Sequence, residues 1–510
     1  METQLIKENI RQRAYLNSVT AWIDTVVKLV VRFIIDPIII SFLGGTLYGV
    51  WQILNQLNSY LATADLRAAT ALKWIIAKER TVRTDHELKQ SVSSSLFTNV
   101  LFLPLYLLAG VIIIYIAPFV TKVESGQFLL VRQTSAIMVF SFILTQFFFL
   151  FESVLTGMNL SYKRMGFRAV ITIIRGVLIY ILLKIGFSID GLAIVSVFTS
   201  IATGLTFAWI VKKVVPWFGF VKVKIKQVFD FVKLSGWFMA DKIVTLLNES
   251  IDLILLGYFA GPEYAASYTV SRFVIQALVS MFRSGQGAIT PGITRFIGEK
   301  QFEKIIYFRK SMIFMNWFIL GIVGTLVILF NKSFVSLWTE QHLFAGFYET
   351  FLIVLFTLLK SLQTIDGSII TMNLDLKKKI LYSSVSAVVT IVLAAFLIPV
   401  LQINGLLLAL IIGLLFQIIV FSLLAEKILD MKGFIYDLFF SRLSIITLII
   451  LSISIYFAQQ IVANNWLTLI LLGVVSSIIV VSIYWLLALN KTNRRFILEN
   501  VRRIKPTKFD

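Results

Sequence analysis

Asp252–Arg295 reads DLILLGYFAGPEYAASYTVSRFVIQALVSMFRSGQGAITPGITR, a hydrophobic helical hairpin turned at Gly261-Pro262. It carries Asp252, Arg272 and Arg283 among apolar residues. A relative of the stretch lies 216 residues earlier. At that shift Phe42-Leu43-Gly44-Gly45 falls on Tyr258-Phe259-Ala260-Gly261, and Tyr48 falls on Tyr264. Asp36 then falls on Asp252 and Arg67 on Arg283. A turn and two charges recurring together mark a duplicated hairpin.

The rest of the 510-residue chain has the same character, with 58% hydrophobic residues and a mean hydropathy of +0.88. Soluble proteins hold about 45–50% apolar residues. Apolar windows between charge clusters are long enough to cross a roughly 30 Å hydrocarbon core. In lipid every backbone polar group must be bonded within its own element, so an all-α polytopic membrane protein is expected. There is no cysteine, which excludes disulfides and thiolate metal sites. The first 14 residues are too charged for a cleaved signal peptide, so the first span is expected to direct insertion. The net charge of +20 is spread over short connecting segments, which is topogenic charge and not a nucleic-acid surface.

Hydropathy predicts 14 spans: 16–43, 46–77, 96–121, 130–157, 168–187, 189–213, 235–260, 262–297, 309–336, 347–372, 379–400, 404–427, 436–462 and 466–490. Basic clusters such as Lys78–Lys89, Lys163–Arg168, Lys300–Lys310 and Lys377–Lys379 fall on one side. The other side holds little beyond Lys122, Lys184 and Lys332. By the positive-inside rule both termini are expected in the cytoplasm. At a shift of 214, Met158-Asn159-Leu160 falls on Met372-Asn373-Leu374, Ile189–Gly191 on Ile403–Gly405, and Glu152 on Asp366. Six spans per copy make a parallel repeat. The expected organisation is an N-terminal six-helix lobe (1–213), an interfacial linker (214–234) and a C-terminal six-helix lobe (235–427). Two extra C-terminal helices (428–490) and a basic tail (491–510) follow. Linker and tail interleave lysines or arginines with apolar residues and are expected to meet anionic lipid headgroups.

Charges inside a bilayer usually face a bundle interior or a wet cavity. Asp24, Lys28, Arg32 and Asp36 stand four apart on one face of span one. Span two adds Asp65 and Arg67, and span seven Asp241, Lys242, Glu249 and Asp252. Span eight carries Arg272, Gln276, Ser280, Arg283 and Gln286 at steps of three or four. These faces would wall a hydrated path. The same spacing also lets Lys28 and Asp24, or Arg32 and Asp36, neutralise each other along one helix. Arginine forks match phosphate oxygens, so Arg32, Arg67, Arg272 and Arg283, with Lys28 and Gln276 beside them, are the candidate contacts for an anionic cargo. Asp36, Asp252, Glu152, Asp366 and Glu249 are the candidate ion-coupling carboxylates, for H+ or Na+.

The FLGGTLYGVW and YFAGPEYAASY turns, the TGMNLSYKRM and TMNLDLKKK segments and the IDGLA and INGLL span starts recur in order. On these the chain resembles the multidrug/oligosaccharidyl-lipid/polysaccharide (MOP) flippase superfamily, and within it the Wzx-type polysaccharide flippases. With no nucleotide-binding motif in the sequence, no cofactor is expected. The resemblance implies two six-helix lobes and alternating access. Its cargo would be an undecaprenyl-diphosphate-linked glycan flipped across the bacterial plasma membrane, with membrane lipids, a polymerase and chain-length machinery as partners. A lipid II flippase and a multidrug/cation antiporter of the same superfamily are the alternatives. An enzyme is not expected: the outer connections are short, and no paired-carboxylate loop, metal cluster or phosphate-cradling glycine loop appears. No nucleic-acid partner is expected either.

Overall fold

The computed structural model describes residues 2–61, 68–79, 82–223, 250–286, 301–339, 341–373 and 375–489. Isolated positions at 225–226, 228–229, 232, 243–244, 246–248, 296, 299 and 494 are also described. Every regular element among them is helical. In order these are α1 (Glu2–Tyr60), α2 (Ala68–Glu79), α3 (Asp85–Val120), α4 (Phe128–Gly157), α5 (Tyr162–Ile185) and α6 (Ile189–Val214). Then come α7 (Asp252–Phe259), α8 (Pro262–Ser271), α9 (Phe273–Gln286), α10 (Phe302–Met315) and α11 (Gly321–Trp338). The last are α12 (Phe347–Met372), α13 (Leu376–Leu429), α14 (Phe434–Phe439), α15 (Arg442–Gln460) and α16 (Trp466–Ile483).

Two of these runs are too long for one crossing. At 1.5 Å per residue, the 59 residues of α1 and the 54 of α13 each exceed the hydrocarbon thickness severalfold in total or nearly so. Each is broken once. The break in α1 is at Gly44, whose φ of +77° lies where a side chain would be strained. The break in α13 is at Gln402 (φ +52°), one residue before the ING start of span twelve. Both breaks fall where the sequence places a turn. Nine helices among the described residues are long and apolar enough to cross a membrane. On α16 only Val480 is buried, while Leu467, Ile470, Val474 and Ile478 are all exposed. A helix apolar all round with a bare surface has lipid as its solvent. The chain is thus an all-α, multi-pass membrane protein.

By internal packing the chain forms two compact units, residues 1–269 with 277–288, and residues 270–276 with 289–510. In the first, Leu72, Ile76, Leu88, Val154, Phe207 and Val211 make a buried cluster at one end of α2, α3, α4 and α6. The start of the linker joins it: Val215 and Trp217 are buried there, and the Val221 amide donates to Ser93 Oγ at 2.8 Å. Phe220, Ile225 and Phe229 remain exposed beside Lys222 and Lys226. In the second unit a cluster of Ile305, Ile369, Ala425, Leu429 and Phe434 joins α10, α12, α13 and α14. Asp65, Arg67, Asp241, Lys242, Glu249, the Pro291-Gly292 interruption of span eight and nearly all of the tail lie outside the described residues.

A cationic cavity in the first unit

The polar face of α1 forms as its four-residue spacing requires. Lys28 Nζ lies 2.6 Å from Asp24 Oδ2, and Arg32 Nε lies 2.9 Å from Asp36 Oδ2. Both aspartates are buried and both cations are partly exposed, so each cation is anchored at a buried acidic neighbour. Asp252 is buried in the first turn of α7, where Oδ1 accepts the Leu253 amide at 2.9 Å. The dipole of a helix N-terminus favours a negative charge there.

Lys28 also lines a cavity of about 230 Å³ inside this unit. Three helices supply the other walls, each with one stripe of residues at i, i+3, i+4 and i+7. On α4 the stripe is Thr145, Phe148, Phe149 and Glu152, and on α5 it is Arg168, Ile171, Thr172 and Arg175. On α6 it runs Ser200, Thr203, Gly204 and Phe207, with Thr199 beside it. Residues at these steps share one helix face, so three facing stripes enclose the space. The α6 glycine is needed sterically. A Cβ on Gly204 would fall 2.0 Å from the Phe148 ring, so an alanine there would drive that ring aside.

The charges in the cavity do not cancel. Glu152 is held at 2.7 Å by Arg164 Nη1 and at 3.3 Å by Arg168 Nη1. Arg164 is the deeper partner, with its guanidinium 5.6 Å from the centre of the Phe207 ring, and it is not in the cavity wall. Lys28 is neutralised by Asp24. Arg168 shares Glu152 with Arg164, and Arg175 has only the charge of Asp36, already paired with Arg32, to offset it, so positive charge is in excess. The Nε of Arg175 is buried without a hydrogen-bond partner. Hydroxyls complete the lining: Thr145 and Ser200 share a hydrogen bond of 2.8 Å, and Thr172 Oγ1 donates to the Arg168 carbonyl at 2.8 Å. Surplus guanidinium with hydroxyls nearby is the chemistry of an oxyanion site.

The structure gathers only part of the sequence-expected set. Lys28 and Glu152 meet in the cavity. Arg32 and Asp36 pair on α1. Arg272, half-buried, and Gln276, exposed, belong to the second unit. Asp366 is buried in the second unit against Arg309, 2.6 Å away. Arg67, Glu249 and the side chain of Arg283 lie outside the described residues. Arg168, Arg175 and the hydroxyls of α4 to α6 were not among the candidates. Their signal was present, since Arg168, Thr172 and Arg175 repeat at helical steps along an otherwise apolar span.

These features define a multi-pass helical membrane fold with a cationic chamber. The chain belongs to the polysaccharide biosynthesis protein family, whose model matches residues 18–297, more than half its length. Solved structures share the fold. The lipid II flippase MurJ in an inward closed conformation aligns with a TM-score of 0.68 at 14% identity, covering 95% of this chain and all of its own. An inward-facing multidrug-resistance MATE-family transporter of the MOP superfamily aligns at 0.61 and 12%, covering 82% of this chain and 98% of its own. A MOP-superfamily transporter from Pyrococcus furiosus, whose binding pocket is described as of reverse polarity, aligns at 0.54 and 15%, covering 82% and 96%. Comparison with curated protein sequences yields no match. The helical multi-pass fold expected from the duplicated motifs is thereby met, and it is a fold shared with MOP-superfamily transporters.

Proposed function

We propose that the chain flips undecaprenyl-diphosphate-linked oligosaccharide units from the cytoplasmic to the outer leaflet of the bacterial plasma membrane by alternating access, for polysaccharide assembly. One observation carries this reading: in the cavity of the first unit, positive charge is in excess at Arg168 and Arg175 once Lys28 and Glu152 are neutralised. That surplus suits a dianionic diphosphate, and the threonine and serine hydroxyls suit its oxygens or a sugar. A cationic drug would meet like charge there, which disfavours the antiporter reading. A lipid II flippase would carry the same diphosphate, so the cavity does not separate it; the polysaccharide family match favours the oligosaccharide. Both termini are cytoplasmic in this reading, as the positive-inside rule requires. Glu152, at the cavity wall, is the carboxylate best placed to exchange a coupling H+ or Na+. Polymerase and chain-length machinery would take the product.

The test is complementation of a strain lacking its own polysaccharide flippase, with membrane levels measured in parallel. Each charge-assisted contact contributes about 1.5–3 kcal/mol, so Arg168→Ala or Arg175→Ala should weaken loading about tenfold or more. Arg175→Lys should rescue only in part, because an ammonium does not reproduce the guanidinium fork. Full surface glycan in the Arg168→Ala/Arg175→Ala protein at normal level would overturn the assignment. Rescue of a strain lacking its lipid II flippase, without rescue of surface glycan, would favour the second reading.

A further inference from the structure

The two copies of the duplicated hairpin make the same buried contact with different residues. In the first, Tyr48 Oη donates to Asp36 Oδ2 at 3.0 Å, from the limb after the Gly44 break to the limb before it. In the second, Tyr268 Oη donates to Asp252 Oδ2 at 3.1 Å, from α8 back to α7 across Gly261. Asp36, Tyr48, Asp252 and Tyr268 are 6%, 0%, 8% and 1% exposed. The aspartates coincide at the 216-residue shift, but the tyrosines do not. Tyr48 falls on Tyr264, whereas the donor is Tyr268, one helical turn further on, and the first-copy position matching Tyr268 is Gln52. Residues four apart share a helix face, so the bond is rebuilt from the neighbouring turn. What the copies have in common is the bond and not the residue.

Each bond spans the softest point of its hairpin. Gly44 and Gly261 have φ of +77° and +109°, and a glycine turn leaves the angle between its limbs weakly determined. Those limbs carry a tight contact. The backbone of Gly49 lies so close to the Pro262 carbonyl that a Cβ would fall 1.9 Å from the oxygen, and Thr46 Oγ1 donates to Glu263 Oε1 at 3.0 Å. We infer that Asp36–Tyr48 and Asp252–Tyr268 are a duplicated latch, in which the tyrosines and aspartates are positioning residues that fix the limb angles and so hold the two turns in contact. In this role an aspartate serves as a hydrogen-bond acceptor, and its proton or cation exchange is not required. The inference rests on the chain being a transporter but not on its cargo.

The decisive comparison is Tyr268→Phe against Asp252→Asn. The first removes the donor, while the second removes the charge and leaves one acceptor oxygen, which keeps the Tyr268 bond at the expense of the one from the Leu253 amide. A latch predicts that Tyr268→Phe lowers flipping about tenfold and that Asp252→Asn stays within about twofold of the parent. Tyr48→Phe should behave like Tyr268→Phe. A second readout needs no transport assay. The chain has no cysteine, so thiols introduced as Thr46→Cys and Glu263→Cys are unique and can be joined by a short bifunctional thiol reagent. Cross-linking should fall severalfold in the Tyr→Phe backgrounds and hold in Asp252→Asn. Loss of transport in Asp252→Asn with unchanged Tyr268→Phe would overturn the latch and return Asp252 to ion coupling. Unchanged cross-linking in both Tyr→Phe backgrounds would overturn it as well. Failure of the diphosphate reading alone would leave the cross-linking pattern intact.

Discussion

Glu152 and Asp366 occupy matching places in the two copies of the repeat, yet their surroundings have diverged. Glu152 keeps a side-chain exposure of 19%, borders an open chamber and faces two arginines from the next helix, α5. Asp366 is sealed. Arg309 Nε and Nη2 reach its two oxygens at 2.6 and 2.8 Å, and Ser422 Oγ adds a bond of 2.7 Å. The same guanidinium lies 3.8 Å from the centre of the Phe434 ring and donates to the Phe434 carbonyl at 3.3 Å. The cations have changed helices between the copies. At the 214-residue shift Arg309 falls on Ser95, while Arg164 and Arg168 fall on Lys378 and Tyr382. A carboxylate saturated by one buried fork becomes a clamp; one facing more cations than it can neutralise becomes part of a site. The clamp has an evident task. It ties α10, α12 and α13 to α14, the short helix that leads into α15, and Trp317 Nε1 secures the same helix by donating to the Leu438 carbonyl at 2.8 Å.

The largest effect that would break this contrast is expected at the clamp. Removing one partner of a buried ion pair strands the other and costs about 3–5 kcal/mol. Arg309→Met or Asp366→Leu alone should therefore sharply lower the unfolding temperature of the purified protein. The double variant should recover most of the loss, since an apolar pair of similar size needs no compensation. Flipping per folded molecule should stay near the parent value in the double variant. If flipping vanished although stability returned, Asp366 would be an ion-coupling residue after all.

At the open copy the order should reverse, with function more sensitive than stability. Glu152→Gln keeps an oxygen for Arg164 and is expected to cost about 1–2 kcal/mol. Gly204→Ala should also cost about 1–3 kcal/mol by overpacking, because the new methyl group must displace the Phe148 ring. Both should lower flipping about tenfold, the first by altering the charge of the chamber and the second by narrowing it. Equal flipping in Gly204→Ala despite a lowered unfolding temperature, the sign that the ring has been displaced, would show that the chamber is not on the cargo's path.

How far the sequence could be read follows from the range of the interactions involved. Apolar runs, glycine turns and a two-copy alignment are local signals, and they placed the α1 break at Gly44 and the α13 break beside Ile403. The ion pairs of α1 are also local, being four residues apart. Arg309 is not: it lies 57 residues from Asp366, in a basic stretch that by composition belongs to a connecting segment. Counting charges per span drew attention to the hairpins, while the chamber is built mainly from hydroxyls and two arginines on sparsely charged spans. The alignment was also misleading by one helical turn at the tyrosines, where Tyr264 matches Tyr48 but Tyr268 makes the bond.

The smallest effect tests how completely Arg309 satisfies Asp366. Oδ1 accepts Arg309 Nε, and Oδ2 accepts both Arg309 Nη2 and Ser422 Oγ. Removing the hydroxyl by Ser422→Ala leaves each oxygen with a charged donor, so the cost should be that of one ordinary hydrogen bond, about 1 kcal/mol. The first-copy position matching Ser422 is Ala208, which shows that the open copy does without this hydroxyl. Ser422→Ala should then move the unfolding temperature down only slightly and leave flipping unchanged. A loss as large as that of Asp366→Leu would mean that the guanidinium does not saturate the carboxylate, and the division between a sealed copy and an open one would fail.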